Sequence, residues 1–387
     1  MLRFLRIPLI LTGLLLIASI TVEAQAVNPR IDVLQVKGTI NPVLVDYISR
    51  GIDQAEVDGA QAVIIQMDTP GGLDTAMRDI IQEITNARIP VVVYVSPAGA
   101  RAASAGAYIT LAAHIAAMAP NTAIGAATPV AMGEGGEAQM SDEMKAKIIN
   151  DAIAYIRDTA ESHGRNADWA EKAVREGVSA TSQEALELNV IDMLAPNLEA
   201  LVVQLNGHQV PMLDGSVVTL NTQGAPIKTV AMKAIERFLY TIADPNIAFI
   251  LLSLASLGIM MEIFNPGLIF PGVLGAICGV MAFYSLGQLP VNIAGILLIV
   301  LAFGFFIGEV LTTTFGIFTA GGVVALVMGA LILFQGASPV FRVDPWLIAI
   351  VTILIASVFA FVINRALRAH RKQASTGRED LIGKRAV

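Results

Sequence analysis

The stretch from Ala62 to Asn86, AVIIQMDTPGGLDTAMRDIIQEITN, decides the fold. Its first six residues form a continuous apolar run of strand length, which is typical of a parallel strand buried on both faces. Asp68-Thr69-Pro70-Gly71-Gly72 follows the strand, and helical spacing then runs from about Asp74 to Asn86. Glycines between a strand and a helix let backbone N–H groups approach a carbonyl oxygen closely. Gly71 and Gly72 are therefore either a candidate oxyanion hole or simply a turn.

The segments on either side repeat this pattern. Strands are predicted at Ile31–Val36 and at 91–95 (VVVYV), with a helix from Asn41 to Ala55 between the first two strands. Alternating strands and helices predict an α/β sheet with right-handed crossovers, whose functional groups gather where strands end. A small-residue helix is predicted to open around Arg101–Gly106, with Ser104 near its start. Ser104 is a candidate nucleophile there, and the alternative is a packing residue in an alanine-rich helix.

A nucleophilic serine needs a base, and the four histidines of the chain are poorly placed to supply one. His370 lies in the C-terminal tail, and His208 follows the predicted α/β domain. His163 lies near a predicted helix end, where a cation is expected, and His114 would point away from Ser104 on a shared helix.

Lysine can act as the base where burial or a helix N-terminus lowers its pKa. A helix is predicted from Ser141 to Ser162 with Ser141 as N-cap, and it carries Lys145 and Lys147 near its start. The alternative is a solvated surface pair, because Glu143 and Lys147 are spaced i, i+4.

Composition excludes several classes of protein. Of the 387 residues, 55% are hydrophobic and only 15% are charged, whereas a soluble domain has about a quarter of its residues charged. A wholly soluble or intrinsically disordered chain is thereby excluded. The net charge of −7 argues against a nucleic-acid partner. With the single cysteine Cys278, we expect neither a disulfide framework nor a zinc–cysteine cluster, and we expect no metal or cofactor.

The apolar residues concentrate in a nearly charge-free block from Phe238 to Asn364. Each of its apolar segments approaches the ~20 residues that span a bilayer as a helix; they lie at about 247–264, 267–286, 292–312, 315–334 and 346–364. Pro271-Gly272 interrupts the second segment, so the first two could instead be a re-entrant pair. Glu309, near the end of a span, is either an interfacial residue or a functional intramembrane carboxylate.

The charges around this block predict its orientation. Residues 1–24 have the pattern of a secretory signal or an uncleaved anchor, which places the following domain outside the cytoplasm. Five spans then bring the basic tail into the cytoplasm, in agreement with its arginines. The predicted organisation is a signal peptide (1–24), an α/β domain (25–200), a β-rich connector (201–237), a transmembrane domain (238–364) and a basic cytoplasmic tail (365–387). The connector rests on two hairpin signals, Asn206-Gly207 and Asp214-Gly215.

Several motifs, in order along nearly the whole chain, resemble the NfeD family of membrane-bound serine proteases in the ClpP/crotonase superfamily. They are Asp68–Gly72, Gly99–Ile109, Met118–Ala126, Lys147–Asn150, Gly164–Asn166, Glu184–Leu186, Val190–Asp192, Asp244–Asn246 and Glu262–Gly267. The resemblance implies a ClpP/crotonase-like α/β domain followed by an all-α, multi-span transmembrane domain. Where a soluble ClpP protease carries its histidine, this chain has Thr128-Pro129.

The resemblance implies a Ser–Lys dyad, with Ser104 as nucleophile and Lys147 as base. The oxyanion hole is implied at Gly71, Gly72 and the N–H of Ala105. Lys145 stays open as the alternate base, because on a helical wheel it lies nearer the apolar face of its helix. The family also implies apolar substrate segments from membrane proteins and a stomatin- or prohibitin-like partner. We further expect a homo-oligomer, located in the cell membrane.

Two features lie beyond the dyad. The stretch 129–141 is rich in Gly and Met and predicts a mobile loop that could cover the site. Long family members continue into a cytoplasmic OB-fold barrel, of which Gly377–Val387 resembles only the start, so the barrel's partner-binding role is not carried over. The competing hypotheses are a non-catalytic scaffold that regulates stomatin-like assemblies, a transporter or channel, and an acyl-CoA enzyme, which an extracytoplasmic location would separate from CoA.

Overall fold

The structure is a computed structural model that describes residues 30–130, 141–264, 267, 269–312, 316–334 and 339–371. Three sequence predictions lie outside the described residues: the signal peptide at 1–24, most of the loop at 129–141, and the tail from residue 372 onward.

Within the described residues, the strands are β1 (Ile31–Lys37), β2 (Ala62–Asp68), β3 (Val91–Val95), β4 (Arg101–Ala103), β5 (Ile115–Met118), β6 (Ala123–Gly125), β7 (Ser179–Thr181), β8 (Met193–Leu194), β9 (Gln209–Pro211), β10 (Val217–Thr219) and β11 (Ile227–Val230). The helices of the N-terminal part are α1 (Pro42–Val57), α2 (Asp74–Asn86), α3 (Ala105–Leu111), α4 (Asp142–Ser162), α5 (Ala167–Arg175), α6 (Ser182–Glu187), α7 (Leu198–Gln204) and α8 (Ala234–Ile242). Those of the apolar part are α9 (Pro245–Phe264), α10 (Ile269–Gly287), α11 (Ile293–Leu311), α12 (Ile317–Ile332) and α13 (Pro345–Arg371), with a 3₁₀ turn at Pro339–Phe341.

The N-terminal domain is built on a six-stranded sheet in the order β11-β1-β2-β3-β5-β8. Every neighbouring pair in it is parallel. Strand β3 is buried along its whole length, as expected for a strand covered on both faces. The larger core lies between this sheet and helices α1 to α5, and a second core lies on the opposite face beneath α7 and β9.

The sequence misplaced the start of the serine helix. Arg101–Ala103 forms strand β4, which pairs in parallel with β6, and the helix begins only at Ala105. Backbone bonds hold β4 beside the end of β2, with Thr69 N donating to Arg101 O at 2.8 Å and Ala103 N donating to Thr69 O at 3.1 Å. The small side chains of this segment permit that close approach. Ser104 therefore lies in a strand-to-helix turn.

The segment predicted as a connector is part of the α/β domain. Asp214-Gly215 forms the turn between β9 and β10, as predicted, with Gly215 at φ +81°. Asn206-Gly207 instead follows α7, and Asn206 Oδ1 accepts hydrogen bonds from Thr222 N and Gln223 N, both at 3.0 Å. Strand β11 pairs with β1 and forms an edge of the main sheet.

Each of the five predicted apolar segments contains a helix. Among the described residues, α9, α10 and α11 are long and apolar enough to cross a membrane, whereas the apolar stretches of α12 and α13 are shorter. Pro271 does not break α10, because it lies in the first turn, where backbone N–H groups have no intrahelical acceptor. Helices α9 and α10 touch through their backbones: a Cβ on Gly258 would lie 2.8 Å from Gly275 Cα. Close contact between glycines is typical of helix pairs in membranes.

Glu309 stabilises a helix start. Its side chain is buried and accepts hydrogen bonds from Gly316 N at 2.8 Å and Thr319 N at 3.0 Å. These donors belong to the beginning of α12, which has unpaired N–H groups and a partial positive charge. The carboxylate thus has a structural partner within the helical domain.

Candidate active site

Ser104 occupies a strained turn between β4 and α3. Its φ of +50° and ψ of −117° lie outside the regions that L-residues commonly adopt. Its N–H donates to Gly125 O at 3.0 Å, which holds the turn, while its side chain does not cap α3. A serine on a sharp strand–turn–helix corner is the geometry that exposes a nucleophilic hydroxyl in other hydrolases.

Gly71 lies directly against this serine. Its φ is +114°, and a Cβ built on it would lie 2.7 Å from Ser104 Cβ and 3.3 Å from Ser104 Oγ. A side chain at this position would occupy the space in front of the hydroxyl. The structure therefore brings together two of the predicted site residues, Gly71 and Ser104, and requires glycine at the first.

The backbone amides near Ser104 differ in availability. Gly71 N already donates to the buried Thr69 Oγ1 at 3.0 Å. Ile40 N donates to Gly71 O at 2.9 Å, and Leu73 N donates to Ile40 O at 3.0 Å. Gly72 lies opposite Ile40 in this parallel bridge, and its own N–H faces away from Ile40. Ala105 N is at the first position of α3, where no intrahelical acceptor exists. Gly72 and Ala105 are thus better placed as oxyanion donors than Gly71.

The lysine helix α4 packs on the serine helix α3. Ser141 caps α4, with its Oγ accepting from Met144 N at 3.3 Å, as the sequence predicted. The rings of Tyr108 and Tyr155 stack with centroids 6.1 Å apart, and Tyr108 OH donates to Ala152 O at 3.5 Å. Burial raises the pKa of Tyr108, so its hydroxyl stays protonated.

The two candidate lysines differ in position. Lys147 is exposed and lines a groove together with Leu73 and Asp74, which follow the glycine turn. Lys145 is half-buried and is not among the residues that line this groove. Within the described parts of the chain, no hydrogen bond joins Ser104 to Lys147. The structure thus places Lys147 on a groove that begins at Leu73, the residue after the glycine pair, and does not join it to Ser104.

Arg78 is a site residue that sequence reasoning missed. Its guanidinium donates to Asp74 at 2.9 Å and to Asp151 at 2.8 Å, and it lies 4.3 Å above the ring of Tyr155. It therefore joins α2, which follows the glycines, to α4. The i, i+4 spacing of Asp74 and Arg78 was the available signal.

Arg165 is a second missed residue, although its motif was noted. Its buried guanidinium donates to Leu111 O at 2.7 Å, to Ala113 O at 2.8 Å and to Asp192 at 2.6 Å. The two carbonyls lie at the C-terminal end of α3, where a cation complements the helix dipole. Arg165 thus fixes the end of the helix whose other end carries Ser104.

Three histidines line a different cavity. His114, His163 and His208 border a space of about 750 Å³ that neither Ser104 nor Lys147 lines. Burial, aided by His163 and Arg165, lowers the pKa of His114 to about 4, and burial also lowers the pKa of His163. His163, expected as a cation at its helix end, thus has its charged form disfavoured. Among the described residues, no group of three or more His, Cys, Asp or Glu side chains is arranged to hold a metal ion.

Comparisons with known proteins agree with this architecture. Residues 30–230 match the sequence profile "NfeD1b, N-terminal domain", and residues 246–365 match the "NfeD integral membrane domain". The chain is 40% identical to "Membrane-bound protease PH1510" of Pyrococcus horikoshii over 91% of this chain and 81% of that protein. It is 30% identical to "Membrane protein NfeD1b" of Bacillus subtilis over 90% of this chain and 76% of that protein.

Solved structures add the fold of the N-terminal domain. A structure described as a membrane-bound stomatin-specific protease, 1510-N, in a lysine-to-alanine variant with a substrate peptide, matches with a TM-score of 0.52 at 38% identity. The match covers 56% of this chain and 98% of the chain in that structure. A serine-to-alanine variant of that protease matches with a TM-score of 0.50 at 39% identity, covering 53% of this chain and 99% of its own.

A parallel α/β domain that matches the solved protease 1510-N, carried on apolar helices of membrane length, is the architecture of a membrane-bound protease. The expected α/β domain followed by a helical membrane domain is confirmed. The chain belongs to the NfeD family.

Proposed function

We propose that the chain is a membrane-anchored serine endopeptidase in which Ser104 is the nucleophile and Lys147 the general base. The observation that carries the proposal is the strained turn at Ser104, with Gly71 packed against it and the serine side chain left out of helix capping. The solved relative is described as a protease in both a serine variant and a lysine variant, which supports a role for these residue types.

The proposed reaction is acyl transfer. Neutral Lys147 Nζ takes the proton from Ser104 Oγ, which attacks the peptide carbonyl carbon. The N–H groups of Gly72 and Ala105 stabilise the oxyanion, and Gly71 N takes part only if it leaves Thr69. Lys147 protonates the departing amine, and water activated by Lys147 then hydrolyses the acyl-enzyme ester.

Within the described residues no hydrogen bond joins Lys147 to Ser104, and this is compatible with the proposed chemistry. Lysine has a long flexible stem, and catalytic hydrogen bonds often tighten only when substrate is bound. Lys147 faces the groove that borders Leu73, the residue next to Gly72. Substrate in this groove would exclude water from the reacting groups. Lys145 lies outside the groove and is the alternate base.

The substrate, partner and location belong to the same proposal. The solved relative is described as a stomatin-specific protease, so we assign a stomatin- or prohibitin-like partner and apolar target segments from membrane-associated proteins. We also propose a homo-oligomer in the cell membrane. One crossing by each of the five apolar helices α9 to α13 would place the protease domain and the C-terminus on opposite sides of the membrane. The arginines of the tail support a cytoplasmic C-terminus and hence an extracytoplasmic protease domain.

A serine-directed activity probe on the full chain in detergent tests the proposal. Ser104→Ala should abolish labelling and lower cleavage at least about a thousandfold. Lys147→Ala should lower cleavage by about 10²- to 10⁴-fold, the usual contribution of a general base. Lys145→Ala on the same helix is the matched control and should retain activity. Normal cleavage by the Ser104 and Lys147 variants would leave the non-catalytic scaffold as the better account, and loss only in the Lys145 variant would reassign the base.

A further inference from the structure

The groove that contains Lys147 has two walls from different domains. One wall comes from the α/β domain and includes Leu73, Met144 and Lys147. The other is Gly287–Pro290, the turn that joins α10 to α11. The groove measures about 750 Å³ and is lined mainly by apolar groups. The helical domain therefore supplies part of the surface that faces the candidate base.

The turn is held firmly in this position. Gln288 N donates to Ser285 O at 3.1 Å, and Leu289, buried in the helical core, donates to Leu286 O at 3.3 Å. Ser285 Oγ donates to Ile242 O at the end of α8, the helix that joins the two domains. Leu73 packs against both the α/β core and the helical core. Gln288 is half-buried and is one of the residues that line the groove.

The charges of the described groove residues balance one another. Arg78 is paired with both Asp74 and Asp151, which leaves this cluster with a net charge of −1. Lys147 has no ion pair within the described residues, and its charge offsets that of the cluster. An apolar groove without net charge accepts uncharged, apolar side chains more readily than charged ones.

We infer that Gly287–Pro290 forms part of the substrate-binding groove, and that its occupant is an extended apolar stretch of a membrane-anchored protein just where that chain leaves the bilayer. The turn joins two helices of membrane length, so it marks the bilayer surface. An extended chain advances about 3.3 Å per residue, so a peptide lying against the turn is only a few residues from its own membrane segment. The inference rests on the proposed protease activity and adds that the membrane domain selects where cleavage occurs.

The first test uses the full chain in lipid vesicles, with an apolar target sequence fused directly to a transmembrane helix. Gln288→Trp should fill the groove from the membrane side and lower kcat/KM at least about tenfold, while probe labelling of Ser104 stays within about twofold of wild type. Arg342→Trp is the matched control: it changes an exposed loop residue of the helical domain outside the groove and should alter neither readout.

The second test does not depend on the folding of a bulky variant. A photoreactive residue placed at 288 in the Ser104→Ala chain should capture the target segment, as should one at Met144 on the opposite wall, whereas one at 342 should not. Capture at 144 without capture at 288 would overturn the inference. So would wild-type cleavage by Gln288→Trp, provided that cleavage depends on Ser104. If instead cleavage persists in Ser104→Ala, the protease proposal itself fails.

Discussion

The guanidinium of Arg78 contacts the carboxylate of Asp151 at 2.8 Å and thereby fixes the helix after the glycine turn to the helix that carries Lys147. Asp151 lies one helical turn beyond Lys147, so both side chains project from the same face of α4. The contact also places the Arg78 cation over the ring of Tyr155. Arg78 thus acts as a positioning residue, since it sets the distance between the two halves of the proposed site.

Replacing Arg78 by Ala should lower kcat/KM by about tenfold, because Lys147 would lose its fixed position relative to the glycine turn. The free energy of unfolding should change by less than about 1 kcal/mol, since both ion pairs are exposed. Steady-state cleavage and chemical denaturation measure the two effects. Arg175→Ala, which removes the exposed Arg175–Glu171 pair on α5, is the control and should leave kcat/KM unchanged. Equal activity in both variants would contradict the positioning role.

A side chain at Gly71 should abolish activity. In Gly71→Ala the new Cβ would meet Ser104 Cβ at 2.7 Å, and the φ of +114° adds backbone strain of about 1–3 kcal/mol. Probe labelling and the midpoint of thermal unfolding test this. Gly215→Ala is the matched variant, with φ +81° and nothing within 4 Å of the new Cβ. It should lose stability and keep labelling. Labelled Gly71→Ala would show that the approach to Ser104 lies elsewhere.

Thr69 should control the shape of the oxyanion loop. Its hydroxyl accepts from Gly71 N at 3.0 Å and donates to Gly71 O at 3.2 Å. Thr69→Val keeps the shape of the side chain but leaves a buried N–H unpaired, which costs about 1–3 kcal/mol. We expect kcat to fall more than KM rises. Thr222→Val, which also removes a buried hydroxyl but far from the site, should reduce stability without changing kcat. A wild-type kcat in Thr69→Val would refute this role.

Local patterns were sufficient for most of the α/β domain. The predicted bounds of α2 and β3 agree with the structure, because helical periodicity and a continuous apolar run are local signals. The sequence predicts a helix at Arg101–Ala103, but this segment is a strand that pairs with Ala123–Gly125. Small residues permit this long-range contact, but no local pattern indicates it. The sequence predicts an interruption at Pro271, whereas the structure places this residue in the first turn of α10, because the start of that helix is not marked by a local pattern.

The candidate site was predictable only in part. Sequence order put Gly71 and Ser104 at neighbouring strand ends, and the structure brings them into contact. The hydrogen bond from Gly71 N to Thr69 Oγ1 favours Gly72 as the oxyanion donor. This bond depends on the backbone conformation of the turn and has no sequence signature. Arg165 belongs to a motif that the sequence shows. Its hydrogen bonds to the C-terminal end of α3 form only when the turn before α5 packs against that end.

The half-buried His114 should make the protein less stable in acid. Burial holds its pKa at about 4 in the folded chain, against 6.5 for an ordinary histidine, while its Nδ1 accepts from Val91 N at 3.2 Å. Above pH 6.5 both states are neutral and the residue contributes no pH dependence. Between pH 6.5 and pH 4 this histidine is protonated in the unfolded chain but stays neutral in the folded chain. The free energy of unfolding therefore decreases as the pH falls, by at most about 3 kcal/mol. His114→Asn keeps an acceptor for Val91 and removes this titration. Thermal midpoints of the full chain in detergent should therefore fall less steeply for the variant below pH 6.5 and run parallel to wild type above it. Parallel curves across the whole range would mean that His114 is protonated in the folded protein as readily as in the unfolded one.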